Sequence, residues 1–156
     1  MPNWCFNQIE FTGEEANVQK VISLFLEMRE REIKTNEGQK PEFSELDDYF
    51  FSISVDDNYI SFESRWSPIV GSCVEIAKNF DLNFQYTYDE SGNQIFGKAI
   101  YTAGNEGAEE LDLSDADFDL FDYDEENDCY NYNGETHESD NEIKELIFEK
   151  KFDITY

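Results

Sequence analysis

The chain has 156 residues, 39% of them hydrophobic and 16% aromatic, with 37 Asp and Glu against 11 Lys and Arg for a formal net charge of −26. That is ample apolar material for one folded body and too little length for two ordinary domains, which excludes a wholly disordered acidic chain and points to one domain with an extension. A field of this sign repels nucleic acid and anionic membranes and attracts basic proteins and cations.

Along residues 4–12, Cys5, Asn7, Ile9 and Phe11 alternate with Phe6, Gln8 and Glu10 and stop at Gly13, the period of a strand. From Glu14 the period changes. Val18, Val21, Ile22, Phe25 and Met28 recur at helical spacing while Glu15, Gln19, Lys20, Glu27 and Glu30 face away, predicting an amphipathic helix to about Glu32. Residues 35–45, with Asn36, Gly38 and Pro41, have no period and read as a loop.

Tyr49, Phe51, Ile53 and Val55 then alternate with Phe50, Ser52 and Ser54, and a turn at Asp56, Asp57 and Asn58 leads to Ile60, Phe62, Ser64 and Trp66, a β-hairpin. Ser67 followed by Pro68 predicts a helix start, and Ile69, Cys73, Ile76, Ala77 and Phe80 give that helix its apolar stripe. Leu82, Phe84, Tyr86 and Tyr88, a turn over 89–93, and Ile95, Gly97, Ala99 and Tyr101 form a second hairpin that closes at Gly104. This order predicts an α+β fold: a ferredoxin-like split βαβ antiparallel sheet over residues 1–104, with two helices on one face.

The remainder, 105–156, is an acidic C-terminal extension, and no Lys or Arg lies between Lys98 and Lys144. Such a block is usually a disordered tail. Here Leu111, Leu113, Phe118, Leu120, Phe121, Tyr123, Tyr130 and Tyr132 are interleaved with the acids, so the expectation is an extension packed on the domain. It ends in a short helix over 142–151, carried by Ile143, Leu146 and Ile147, and a strand over 152–156.

The opening MPNWCFN, the RWSP of Arg65 to Pro68 and the strand–turn–strand ending in Phe96 and Gly97 resemble the YubB-like family of conjugative plasmids and phages. The resemblance covers roughly residues 1–104. It implies a ferredoxin-like fold and a mobile-element origin, and it carries no established activity. The acidic extension departs from that pattern.

Cys5, Cys73 and Cys129 are odd in number and scattered without a CxxC pair, as expected of reduced thiols, and four-thiolate cluster ligation is out of reach. The opening residues lack the regions of a secretory signal and no apolar run approaches bilayer length, so a cytoplasmic protein without membrane contact is expected. Trp4 and Trp66 read as core aromatics. His137 is the only histidine, which denies Cys5 an activating base and leaves no triad. No catalytic residue, metal or cofactor is expected. Asp115, Asp117, Asp119 and Glu126 fall at acidic positions of an EF-hand loop, but Leu120 occupies the position of its turn glycine.

The acids themselves are the remaining feature. In an extended strand, Asp115, Asp117 and Asp119 would project about 6.6 Å apart on one face, beside phosphates spaced about 3.4 Å apart along a DNA strand. The expected partner-binding set is Asp112, Asp115, Asp117, Asp119, Asp122, Asp124, Glu125, Glu126 and Asp128, with Tyr123 and Tyr130 as aromatic anchors. The expected partner is a basic host protein that handles nucleic acid, with no direct nucleic-acid binding by this chain. Two other classes fit the sequence: a module that neutralises a basic toxin or assists plasmid transfer without mimicking DNA, and a calcium-stabilised surface module.

Overall fold

A computed structural model of the chain describes residues 3–90 and 94–152. β1 (Trp4–Thr12) buries Cys5, Asn7, Ile9 and Phe11 and exposes Phe6 and Gln8, as its alternation predicts. α1 (Glu15–Thr35) buries Val18, Val21, Phe25 and Met28 along one stripe. It outruns the expected end because Asn36 takes a left-handed φ of 55° and returns its N–H to Glu32 O at 2.7 Å. Asparagine tolerates that conformation and closes the helix much as glycine would.

β2 (Phe51–Asp56) and β3 (Tyr59–Arg65) form the first hairpin, but the register slips between Phe51 and Ser54, with Ser52 at φ 51°. This bulge buries Phe50 together with Ile53, whereas strict alternation would have paired Phe51 with Ile53. The Ser52 and Ile53 N–H groups donate to the Glu32 carboxylate at 2.6 and 3.0 Å, so a side chain of α1 replaces what the ladder lost.

α2 (Val70–Phe80) starts later than Ser67 and Pro68 predict. Trp66 sits at φ 71° and turns the chain, the Ser64 hydroxyl donates to Ser67 O at 2.7 Å, and the Ile69 N–H donates to the Tyr86 hydroxyl at 3.2 Å. These residues are therefore held as a turn, and the expected cap does not form.

β4 (Asn83–Glu90) keeps Asp89 and Glu90 within the strand; the rest of the expected turn, 91–93, lies outside the described residues. β5 (Ile95–Tyr101) and, beyond Gly104, β6 (Glu109–Asp112) continue the sheet. Among the described residues its order is β2-β3-β1-β4-β5-β6, antiparallel throughout. The first four of these are the ferredoxin-like arrangement. α1 and α2 share one core against Cys5, Ile9, Phe11, Ile60, Phe62, Phe84 and Tyr86, which places both on the same face. Gly97 lies between Tyr88 and Asp112 in register, and a Cβ there would stand 2.5 Å from Asp112 Oδ1 and 2.8 Å from the Tyr88 ring. Only glycine lets the Tyr88 hydroxyl cross β5 and donate to Asp112.

The chain then forms a helical turn, α3 (Asp115–Phe118), three short strands, β7 (Phe121–Asp124), β8 (Cys129–Tyr132) and β9 (Glu135–His137), paired in that order as a second sheet, and α4 (Asp140–Phe152). Phe152 ends that helix where a strand was expected, and 153–156 lie outside the described residues. Phe96, Leu113, Phe118, Ile143, Ile147 and Phe148 make a second core, joined by Phe121, Tyr130 and Tyr132. Phe96 is in register with Asp89, and Asp89 with Phe6 on the exposed side of β1. The second core therefore occupies the sheet face opposite α1 and α2.

Lys144 locks the two parts together. Its side chain is 0% exposed, its Nζ donates to both Asp89 oxygens at 2.8 Å, and it lies 3.6 Å from Asp140 and 5.2 Å from the Phe96 ring centre. Lys98 to Glu145 at 3.3 Å and Lys151 to Asp117 at 2.6 Å add pairs at the rim. Lys144→Ala leaves Asp89 beside an apolar core without its cation, and is expected to cost about 3 kcal/mol in urea unfolding, with Lys144→Met/Asp89→Asn recovering most of it. An unchanged midpoint for Lys144→Ala would show that the pair does not anchor α4.

Candidate protein-binding surface

The residues of MPNWCFN and RWSP that the structure describes converge on one place. Trp4 faces Arg65 across β1 and β3, and the guanidinium lies 6.0 Å from the Trp4 ring centre and 4.7 Å from that of Phe51. Beneath it the Asn7 amide donates to Cys5 O at 3.0 Å, Phe62 O at 3.3 Å and Ser64 Oγ at 2.9 Å, and accepts from the Tyr86 hydroxyl at 2.5 Å. A buried amide satisfied on both sides fixes the β1–β3–β4 packing and offers no free group for chemistry. Trp66 departs from expectation: its side chain is 53% exposed, held there by its left-handed backbone and a 2.8 Å bond from its N–H to Asn3 O. Trp4 is half-buried, edge-on to Phe51.

Burial, with neighbouring Asp89 and Glu90 charges adding to it, pushes the Cys5 thiol up to about 12, and burial also raises Cys73. Neither presents a thiolate near neutrality. His137 Nδ1 lies 3.5 Å from Glu142, tying β9 to α4.

The acidic residues are distributed differently from an extended ladder. Ser114 N–H and Oγ–H donate to Asp117 at 2.7 and 2.9 Å, and the turn of α3 closes at Asp119. Asp115, Asp117 and Asp119 are thus spread around a helical turn, and the row of carboxylates expected on one strand face does not exist. Serine and aspartate at that spacing form a capping box, which outweighs strand propensity in so short a segment. The EF-hand register fails for the same reason, since its span is divided between α3 and β7, and among the described residues no group of three or more His, Cys, Asp or Glu is placed to hold a metal ion.

Strand alternation survives in β7. Phe121 and Tyr123 pair with Tyr132 and Tyr130, while Asp122 and Asp124 pair with Asn131 and Cys129. Asp122 and Asp124 therefore share a face, about 6.6 Å apart. Asp124 caps the β7–β8 turn by accepting from Glu126 N–H at 3.0 Å and Asn127 N–H at 3.3 Å, and Asp128 accepts from the Tyr123 hydroxyl at 2.6 Å. Tyr130 is half-buried against the second core, whereas Tyr123 is 50% exposed. Asp112 accepts from Tyr88 on the α1–α2 side of the sheet and stands apart from the rest. Asp115, Asp119, Asp122, Glu125, Glu126 and Asp128 remain exposed.

Lys144, Lys98 and Lys151 each hold an internal carboxylate, so the outer face of the second sheet keeps its negative charge. Spacing alone could not have found this: Lys144 reads as a surface residue of an amphipathic helix until Asp89 is placed opposite it.

Asp117 is pulled two ways. Burial raises its carboxyl, but Lys151 and the Ser114 donors outweigh burial and hold it below the usual range. A depressed folded pKa gives stability that is present above the unfolded value, about 3.9, and lost as pH falls through the folded one. Neutralising the other acids relieves repulsion over the same range and acts in the opposite direction, so the comparison is between proteins. Melting curves of the parent and Asp117→Asn should differ most above about pH 4 and converge below it; a constant gap would contradict the ion pair.

No helix among the described residues is long and apolar enough to cross a membrane. No curated protein and no solved structure matches the chain. A family model described as the ferredoxin-like domain in Api92-like protein matches residues 45–133, from the approach to β2 through β8, taking in RWSP, Gly97 and the first two strands of the acidic sheet. With more than half its length matched, and with the β2-β3-β1-β4 order of that fold, the chain belongs to the family of ferredoxin-like domains found in Api92-like proteins.

Proposed function

We propose that this is a non-enzymatic, cytoplasmic binding protein of a mobile genetic element, whose acidic second sheet occupies the basic groove of a host defence or DNA-processing protein in place of nucleic acid, as an anti-restriction or anti-CRISPR inhibitor would. One observation carries the proposal: the chain commits Lys98, Lys144 and Lys151 to internal pairs and leaves Asp115, Asp119, Asp122, Glu125 and Glu126 outward on a folded surface. Preorganised carboxylates attract a basic groove through the same electrostatics that serves a phosphate backbone, without the ordering cost of a flexible tail. Exposed Tyr123 supplies an aromatic contact at the centre. The YubB-like resemblance of MPNWCFN and RWSP supports the plasmid or phage setting.

The helical turn at α3 favours a second reading. Phosphate-like spacing is confined to Asp122 and Asp124, so the surface also suits a module that neutralises a basic toxin or assists plasmid transfer without imitating DNA. Competition separates the two. The full chain and Asp115→Asn/Asp119→Asn/Asp122→Asn/Glu125→Gln would be used to capture proteins from host lysate at about 0.05 M and about 0.5 M salt, and the complexes challenged with duplex DNA. The four substitutions avoid the capping and ion-paired acids, so the fold is retained. The proposal expects a basic nucleic-acid enzyme that high salt releases, DNA displaces, and the variant binds at least about tenfold more weakly. Equal capture by the variant would refute it, and a salt-sensitive partner that DNA does not displace would establish the second reading.

A further inference from the structure

α4 covers only the β4–β5 side of the second sheet face. Where it stops, a groove of about 450 Å³ opens over β1 and β3, walled on one side by Asn141 and Glu145. Its floor is Phe6, 60% exposed in the central strand. Register places Glu63 directly opposite Phe6 on β3 and Asp89 opposite it on β4, so the ring has a carboxylate-bearing neighbour within about 5 Å on each side. The two carboxylates are not equivalent. Asp89 gives both oxygens to Lys144, whereas Glu63, half-buried, makes no ion pair or hydrogen bond among the described residues.

We infer that this groove binds a guanidinium, the side chain of an arginine presented by a basic partner, with its planar face on the Phe6 ring and its fork donating to Glu63. An exposed ring next to an uncommitted carboxylate supplies both halves of what a guanidinium recognises. Charge complementarity rests on Glu63: of the groove's other carboxylates Asp89 is paired with Lys144 and Glu145 with Lys98, and among the described residues no Lys or Arg lines the groove. The same sheet face already stacks a guanidinium one cross-strand pair along, where Arg65 lies 4.7 Å from the Phe51 ring centre. The surface is separate from the acidic sheet and goes beyond the proposed function, so either can fail without the other.

The test must be site-resolved, because a chain of net charge −26 attracts any cation weakly over its whole surface. The isotope-labelled full chain would be titrated with acetyl-Gly-Arg-Gly-amide, and with the same peptide carrying citrulline, the neutral isostere, while amide shifts are followed by NMR. The inference expects saturable shifts at Phe6, Ser61 and Thr87, with citrulline binding at least about fivefold more weakly. Phe6→Ala and Glu63→Gln are each expected to weaken arginine binding about fivefold without altering the remaining spectrum, since the first is an exposed side chain and the second keeps its shape. Equal affinity for arginine and citrulline, no saturable shift, or shifts confined to β7 and β8 would overturn it, the last assigning the guanidinium to the acidic sheet.

Discussion

A lysine with no solvent exposure, held by an aspartate on the sheet and another on its own helix, is the interaction on which the rest of this structure depends. Removing an ammonium from water is costly, and Lys144 is tolerable because Asp89 accepts from it through both oxygens and the Phe96 ring lies beside it. The geometry is demanding. A helix that slipped by one residue would bury an unpaired charge, so the pair fixes the position of α4, while Ile143, Ile147 and Phe148 supply the apolar contact. It converts an acidic sequence that could have been a tail into a second layer on the sheet.

That layer explains the distribution of charge. A dense run of carboxylates opposes its own folding, and the chain answers by assigning several acids to local tasks. Asp117 caps α3 and meets Lys151, Asp124 caps a turn, Asp128 accepts from Tyr123 and Asp112 from Tyr88. The acids left over point outward. What looks in the sequence like one uniform acidic block is two populations, one maintaining the fold and one left exposed.

β1 and α1 were legible because period and burial agree there. Cys5, Ile9 and Phe11, or Val18, Val21, Phe25 and Met28, have no competing use. Prediction failed where a long-range side chain overrode local chemistry. Glu32 supports a bulge at Ser52 that alternation cannot foresee, and Tyr86 takes the Ile69 N–H ahead of α2. The size of Trp66 predicts a core position, yet a left-handed backbone turns it out. At the acidic surface alternation misleads, because the strand it predicts for Asp115, Asp117 and Asp119 gives way to the capping box at Ser114. Phe6 and Glu63 were invisible as a pair until register brought them together.

The acidic segment is a folded layer of the domain, and native-state hydrogen exchange distinguishes that layer from a tail. The β7–β8 and β8–β9 ladder amides and the α4 amides should be protected well above intrinsic rates, and should open together when α4 is released. Exchange of those amides at intrinsic rates, while β1 to β5 stay protected, would return the acidic segment to the status of a tail.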